Sequence, residues 1–251
     1  MIKLPKTLYG TALERYRQAG EFFPLIGAVL LDAQNGVAYA DDAKTPLQFY
    51  VEHSFGFAQI FGRSSNAFEE ALESHLFLTK AFSAPKVRLY GIDAPDFLSK
   101  PEYRSFRSVR QRFRHETSVA DSEHEASCVD ETSVEEVERT FGVVTRFWRS
   151  ARDFVNLAHA CVVRHEGALA SICYAAAVAD AKAEIDVITV ESQRRTGAGK
   201  AAVHAFIERC SAERIEPLWD CFANNEGSMA LARATGFRPS RARYPFFTMS
   251  R

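Results

Sequence analysis

The chain has almost no net charge and no long apolar segment. Its 31 Lys and Arg residues nearly balance 32 Asp and Glu residues, which gives a formal charge of −1. Composition therefore provides no general attraction to nucleic acid or to a membrane surface. No apolar run reaches the roughly 20 residues that a membrane-spanning helix requires, and residues 1–6 are not followed by the apolar core of a signal peptide. We expect a cytoplasmic protein without nucleic acid or membrane partners.

Cysteine is scarce as well. The five cysteines among 251 residues show no C-x-x-C spacing, so the sequence indicates neither a zinc site nor a disulfide framework. Buried thiols in a reducing compartment are the expectation, and Cys221 has no neighbouring base that would make it a nucleophile. We expect no metal, and a chain long enough for one large domain or two smaller ones.

Residues 184–200 hold the most informative pattern. A strand-like run at residues 185–190 leads into a loop with two glycines, and a helical spacing of apolar residues follows. Glycines let the backbone approach a ligand closely, and a helix N-terminus with cationic side chains nearby favours an anion. The predicted phosphate-binding residues are Arg194, Arg195, Thr196, Gly197, Ala198, Gly199 and Lys200.

Three kinds of phosphate loop compete for this segment. A P-loop requires glycine where Arg194 stands and Ser or Thr where Ala201 stands, so that pattern fails. The dinucleotide pattern G-x-G-x-x-G/A is met by Gly197, Gly199 and Ala202, but it usually opens immediately after its strand, whereas a charged stretch intervenes here. The third pattern, R/Q-x-x-G-x-G/A, is met by Arg194, Gly197 and Gly199. It resembles the pyrophosphate loop of acetyltransferases that use acetyl-coenzyme A (acetyl-CoA).

A second pattern follows the predicted helix. Residues 217–222 read as a short buried strand, and a helix of small residues then closes at Gly236-Phe237, a glycine C-cap signal. This arrangement resembles the second half of the Gcn5-related N-acetyltransferase (GNAT) fold. The run W-D-C-x-x-x-N-x-x-S-x-x-L-A-x-x-x-G-F is similar to a bacterial subgroup that includes the zwittermicin A resistance acetyltransferase. The resemblance covers residues 153–244.

The resemblance implies an α/β (α+β) fold with a mixed, mostly antiparallel sheet flanked by helices. It implies a catalytic GNAT domain at residues 132–251, preceded by an acidic linker at residues 117–131. Residues 1–116 are expected to form a smaller, degenerate GNAT-like half. Residues 61–65 of that half contain one glycine, Gly62, and a pyrophosphate loop would need more. We therefore expect this half to serve as a scaffold or a homodimer interface.

Apolar patterns predict elements of the first half. Strands are expected at residues 25–31, 48–51, 56–61 and 86–92, and a helix is expected to begin at Asn66. Phe106, Val109 and Phe113 share one helical face, so the adjacent Lys and Arg residues are predicted to be its solvated side rather than a nucleic acid-binding surface.

Patterns in the second half predict a helix followed by a strand meander. Thr132 and Glu135 form a capping-box pattern before an apolar stripe that extends to Trp148. His165-Glu166-Gly167 predicts a hairpin turn between strands at residues 160–164 and 169–177. With a strand at residues 183–190, these elements form the expected meander.

The resemblance also implies roles for individual residues. The strand backbone at Ile188, Thr189 and Val190 is expected to hold the pantetheine and acyl carbonyl, and the loop amides are expected to hold the pyrophosphate. Asn225 matches the position that contacts the pantetheine arm in the family, and Ser228 is a further candidate for that contact.

Acid and base candidates lie on the last meander strand and beyond it. Glu184 and Asp186 alternate onto one strand face, which would place a carboxylate pair beside the acceptor amine. Glu184 fits the family's water-relaying base. Ala232 stands where relatives have the tyrosine that protonates the thiolate, so Tyr244 or water is expected to replace it.

These residues predict an N-acetyltransferase that moves the acetyl group of acetyl-CoA to a primary amine of a small molecule or peptide by direct attack. Two alternatives remain. Ala232 is compatible with a CoA-binding regulatory protein without turnover. Gly197 and Gly199 are compatible with an NAD(P)-binding enzyme.

Overall fold

The computed structural model describes residues 1–116 and 124–251, and the described chain divides into two compact units. The first unit is Met1–Arg110 with Tyr244–Arg251, and the second unit is Gln111–Arg243. The C-terminal segment therefore belongs to the first unit, whereas the sequence predicted it within the catalytic half. Of the predicted linker, residues 117–123 lie outside the described residues, and residues 126–128 form a strand.

The described residues form short helices and strands throughout. The helices are α1 (Tyr9–Arg17), α2 (Pro24–Leu30), α3 (Asn66–Glu73), α4 (Val134–Phe141), α5 (Val144–Phe147), α6 (Ala151–Leu157), α7 (Ala198–Ala212) and α8 (Glu226–Ala234). The strands are β1 (Ile2–Lys3), β2 (Gly36–Ala40), β3 (Gln48–His53), β4 (Phe57–Gly62), β5 (Lys86–Tyr90), β6 (Arg107–His115), β7 (Ala126–Cys128), β8 (Cys161–His165), β9 (Ala168–Ala179), β10 (Lys182–Thr189), β11 (Glu216–Phe222), β12 (Phe237–Pro239) and β13 (Tyr244–Ser250). None of the described helices is long and apolar enough to cross a membrane.

The first unit is a sheet with strand order β1-β2-β3-β4-β5-β13-β6. Its pairs are antiparallel except β4 and β5, which run parallel. One core cluster packs α1 and α2 against the sheet, and a second cluster gathers around α3. Both faces of β3 are buried, because each cluster covers one of them.

Two predictions for this part of the chain are wrong. Residues 25–31, predicted as a strand, lie largely in α2, which has Pro24 at its first turn and all seven residues buried. A short apolar run cannot distinguish a buried strand from a helix buried on all sides. The helix predicted through Phe106, Val109 and Phe113 is strand β6, in which Arg110 and Arg112 are buried rather than solvated.

The second unit has the strand order β6-β11-β10-β9-β8-β7, with β12 paired to residues 113–115 of β6. β7, β8, β9 and β10 are successively antiparallel, and β10 and β11 are parallel. Helix α7 packs on the meander through Val203, Phe206 and Cys210. The expected fold class, a mixed and mostly antiparallel sheet flanked by helices, is confirmed.

The predicted hairpin is present in this unit, but the predicted capping box at Thr132 is not, because the N-cap of α4 is Ser133 and makes no side-chain capping bond. Glu166 and Gly167 form the hairpin turn with φ of 51° and 82°, which places His165 opposite Ala168. The helix predicted to continue to Trp148 is instead divided at Gly142, whose left-handed conformation (φ 62°) ends α4.

Candidate active site in the second unit

Strands β10 and β11 diverge in the middle of the second unit. Their parallel pairing ends at Glu184 and Leu218, although β10 continues to Thr189 and β11 to Phe222. Residues 185–189 stay paired with β9, and the register with β9 shifts between Glu184 and Ile185. A β-bulge of this kind bends a strand and increases its twist, which explains why the strands separate here. The gap leaves a backbone edge of β10 that an extended ligand can pair with.

A loop with two glycines lies directly after β10. Gly197 has φ of 94° and precedes the first residue of α7, so it occupies a conformation that favours glycine. Gly199 packs closely, since a Cβ there would lie 2.9 Å from the Thr189 hydroxyl oxygen. The first turn of the 15-residue α7 contains no acidic side chain but contains Lys200. Its N-terminus therefore offers free amides and a positive potential to an anion.

His124 also contacts this loop, and sequence reasoning missed it. Its Nε2–H donates to the carbonyl oxygen of Thr196 over 2.8 Å, and its ring lies 3.4 Å from where a Cβ of Gly197 would be. The imidazole thus fixes the loop from the side. No motif links His124 to the loop, since 72 residues separate the two partners.

Asn225 and Ser228 lie at the start of α8. The Asn225 carboxamide oxygen accepts from the backbone N–H of Ser228 at 3.1 Å, which makes Asn225 the N-cap of the helix. The Ser228 hydroxyl accepts from the indole N–H of Trp219 at 3.0 Å. These bonds fix α8 to β11, on the side of the gap opposite β10. Asn225 is exposed there.

The Glu184 side chain is part of a buried ion pair. Nη1 of Arg112 lies 2.9 Å from both carboxylate oxygens of Glu184 and 3.8 Å from Asp220. Arg112 is fully buried, and Glu184 is 5% exposed. A guanidinium and a carboxylate form strong charge-assisted hydrogen bonds. This geometry fits a structural ion pair better than a base that must meet an amine.

Asp186 has a different environment two residues further along β10. Its Oδ2 accepts a 2.5 Å hydrogen bond from the Tyr174 hydroxyl and lies 3.3 Å from Nη1 of Arg146. The side chain is 30% exposed, and within residues 1–116 and 124–251 its Oδ1 makes no hydrogen bond. Burial, and next to it the Asp186 charge, raises the pKa of Tyr174 well above its ordinary value. Tyr174 thus stays a proton donor that orients the carboxylate.

Arg146 and Tyr174 were not predicted from the sequence. Tyr174 faces Asp186 across the β9–β10 pair, so the register of the hairpin determines this contact. Arg146 lies in α5, within the segment that was predicted as a continuous helix. Trp148, which follows it, donates its indole N–H to the Ala175 carbonyl at 2.9 Å and anchors this segment to β9.

Tyr244 lies in the first unit, where it is 3% exposed. Its ring belongs to the aromatic core cluster and lies 6.1 Å from the ring of Phe23. This position gives Tyr244 a packing role. Ala232, which stands in place of the family tyrosine, is fully buried in α8.

Three buried thiols of the second unit are poor nucleophiles. Burial raises the pKa of Cys161 and of Cys210 to about 12, and burial raises the pKa of Cys173 well above its ordinary value. Since the thiolate is the reactive species, these three residues are poorly suited to form a covalent intermediate. Within the described chain no three His, Cys, Asp or Glu side chains are grouped as metal ligands.

Comparisons with known proteins agree with this fold. The sequence model of the GNAT acetyltransferase family matches residues 25–247, most of the chain. The chain belongs to this family of acyltransferases.

Three relatives illustrate the relationship. A protein of Bacillus subtilis (strain 168) named uncharacterized N-acetyltransferase YdfB is 32% identical over 92 residues, which are 37% of this chain and 35% of that protein. The match thus spans about a third of that relative's length. A GCN5-related N-acetyltransferase-like protein from Streptococcus suis 89/1591 superimposes with a TM-score of 0.71 at 19% identity, covering 98% of this chain and 100% of the other. A GNAT acetyltransferase from Colwellia psychrerythraea gives 0.67 at 9% identity, covering 99% and 98%. At such identities the two structures show the fold alone.

Proposed function

We propose that this protein transfers the acetyl group of acetyl-CoA to a primary amine of a small molecule or peptide. The observation that carries the proposal is the gap between β10 and β11, with the Gly197–Gly199 loop at its end. An extended pantetheine chain fits a gap of this kind, and a pyrophosphate fits the helix N-terminus beside it.

In this proposal the loop amides of Arg195 to Lys200 hold the pyrophosphate, and the side chain of Arg194 adds positive charge. The backbone of Ile188, Thr189 and Val190 pairs with the pantetheine and orients the thioester carbonyl. Asn225 and Ser228 border the gap from the α8 side.

Asp186 acts as the base in the proposed reaction. The acceptor ammonium first gives one proton to solvent, and the free amine nitrogen then attacks the thioester carbonyl carbon. The carbon–sulfur bond breaks, and Asp186 takes the proton that the nitrogen loses during the attack. Tyr174 and Arg146 hold the Asp186 carboxylate on one oxygen and leave the other for the amine or for a relaying water. Solvent protonates the CoA thiolate, because Ala232 supplies no phenol and Tyr244 is buried.

The acceptor class follows from the same residues. Asp186 is the carboxylate that a protonated amine would meet on entry, which favours a cationic acceptor such as an amino sugar, a peptide or an antibiotic amine. The similarity of the W-D-C run to the zwittermicin A resistance subgroup supports an antibiotic amine. We further propose a cytoplasmic location, where CoA thioesters are available, and a homodimer.

The proposal is tested first by ligand identity. CoA is expected to raise the melting temperature of the full chain, whereas NAD and ATP have no effect. Stabilisation by NAD instead would replace the acetyltransferase by a dinucleotide enzyme that uses Gly197 and Gly199.

Turnover is tested separately, by release of free thiol from acetyl-CoA with a panel of amines. Thiol release that depends on the added amine supports the transferase. CoA binding without release for any amine would favour a regulatory CoA-binding protein, the alternative that Ala232 suggests.

A further inference from the structure

The first unit repeats the strand divergence of the second. Parallel strands β4 and β5 pair from Phe57 and Arg88 to Gln59 and Tyr90. Beyond that pair β4 follows β3 to Gly62, whereas the chain after β5 follows β13, with the Gly91 N–H donating to the Pro245 carbonyl at 2.9 Å. The two strands therefore separate, as β10 and β11 do.

A cleft of about 500 Å³ lies at this separation, entirely within the first unit. Phe61 of β4 and Ile92 after β5 give it an apolar lining. Arg15 of α1 and Arg63, the residue after β4, also line it. The cleft thus combines an apolar wall with cationic groups.

The two arginines are available to a ligand. Arg15 and Arg63 are exposed, and neither guanidinium makes a hydrogen bond or ion pair with another described residue. Arg17, two residues after Arg15, is by contrast paired with Glu14. Asp93 is the acidic residue of the lining, so the side chains around the cleft carry a net charge of about +1 at neutral pH.

Gln59 adds a buried donor to the same cleft. The Tyr16 hydroxyl accepts from the Phe23 N–H at 2.7 Å and therefore donates to Oε1 of Gln59, 2.5 Å away. This bond orients the carboxamide of Gln59, which is 2% exposed. Its Nε2 contacts only the Glu21 carbonyl among the described residues, over 3.5 Å. Because the nitrogen carries two protons, it retains the capacity to donate to an anion.

The segment after β4 is unsuited to a diphosphate. Helix α3 has Glu69 in its first turn, and Glu69 accepts hydrogen bonds from Ser64 and Gln48 at 2.6 and 2.9 Å. The Ser65 N–H already donates to Gln48 at 2.8 Å. A carboxylate at this helix N-terminus repels phosphate and occupies its donors.

We propose that this cleft binds a small organic carboxylate with an apolar body. Arg15, Arg63 and Nε2 of Gln59 hold the carboxylate, and Phe61 and Ile92 contact the apolar part. This site is independent of the proposed acetyl transfer.

The probe for this site is 4-fluorobenzoate, titrated with the full chain and followed by the fluorine NMR line of the ligand. We expect saturable binding that benzoate displaces and that neutral benzamide does not, because the amide cannot pair with guanidinium groups. The Arg15→Gln/Arg63→Gln variant is expected to bind at least about tenfold more weakly.

A matched control removes the same amount of charge elsewhere in the first unit. The Arg17→Gln/Lys44→Gln variant is expected to bind 4-fluorobenzoate like the unchanged chain, since neither residue lines the cleft. Thermal unfolding of both variants verifies the fold. Equal affinities of the two double variants for 4-fluorobenzoate, or no saturable binding at all, would refute the proposal. The proposal would also be refuted if benzamide or inorganic phosphate displaced 4-fluorobenzoate as efficiently as benzoate does.

Coenzyme A separates this site from the proposed active site. The Arg15→Gln/Arg63→Gln variant is expected to bind CoA unchanged, and Gly199→Val is expected to bind 4-fluorobenzoate unchanged. If CoA displaces the probe and still does so in Gly199→Val, the cleft accepts a CoA ligand and the small-carboxylate assignment is wrong. Failure of CoA to bind anywhere would refute the proposed function and leave the carboxylate site standing.

Discussion

Replacing Glu184 with Gln separates a structural carboxylate from a catalytic one. Arg112 is fully buried, and both carboxylate oxygens of Glu184 lie 2.9 Å from its Nη1. Removing one partner of a buried ion pair costs about 3–5 kcal/mol. A Gln carbonyl can still accept one hydrogen bond, worth about 1 kcal/mol. We therefore expect Glu184→Gln to lower the free energy of unfolding by about 2–4 kcal/mol.

Tryptophan fluorescence during urea unfolding measures the free energy of unfolding of the second unit. The chain has two tryptophans, Trp148 and Trp219, and both lie in the second unit. The control is Glu216→Gln, which breaks an exposed pair between Glu216 of β11 and Arg114 of β6. That surface pair contributes at most about 1 kcal/mol, so the control should unfold nearly like the unchanged chain.

Turnover decides between the two roles. If Glu184 is structural, the folded Glu184→Gln protein retains its CoA affinity and most of its turnover. Arg112→Met is then expected to lower the free energy of unfolding still more, because it leaves two buried carboxylates without their cation. A variant of unchanged stability whose turnover falls by about 10²-fold or more would show that Glu184 is the base and that our reasoning is wrong.

Three further predictions test the remaining roles. Asp186→Asn is expected to reduce turnover by about 10²-fold or more with little change in CoA affinity by calorimetry; near-normal turnover would move the base to solvent or to the substrate. Gly199→Val is expected to weaken CoA binding at least about tenfold. If Thr189→Ala restores CoA binding in the Gly199→Val variant, the glycine is needed for packing against Thr189 rather than for ligand access. Tyr244→Phe is expected to change the steady-state turnover less than about threefold, because a buried hydroxyl in an aromatic core does not protonate a leaving group. A loss of about 10²-fold would instead show that Tyr244 acts as the acid.

Local sequence signals predicted the parts of the site that form over short distances. The hairpin at Glu166-Gly167 requires two consecutive residues with positive φ, and the loop before α7 is marked by its glycines and by the helical spacing after it. Such patterns depend on a few adjacent residues. They survive folding because the turn or cap is formed by those residues themselves.

Contacts between distant residues could not be predicted in the same way. Arg112 and Glu184 are 72 residues apart, and the arginine lies in a segment whose apolar spacing predicted a helix with its basic residues in solvent. As a strand, β6 buries Arg110, Gln111 and Arg112 together, an arrangement that only its neighbours in the sheet explain. The return of β13 to the first unit likewise depends on pairing with β5, which no local pattern records.

The two carboxylates of β10 illustrate how environment, rather than residue type, divides their roles. Glu184 is the last residue of β10 that pairs with β11, and its guanidinium partner also lies within 3.8 Å of Asp220 on β11. The ion pair thus stabilises both strands at the point where they begin to separate. Asp186 lies beyond that point, partly exposed, with a phenol to orient it. Neighbouring carboxylates in unlike surroundings commonly take different tasks. Here one carboxylate stabilises the opening between the strands, and the other lies where an acceptor amine could reach it.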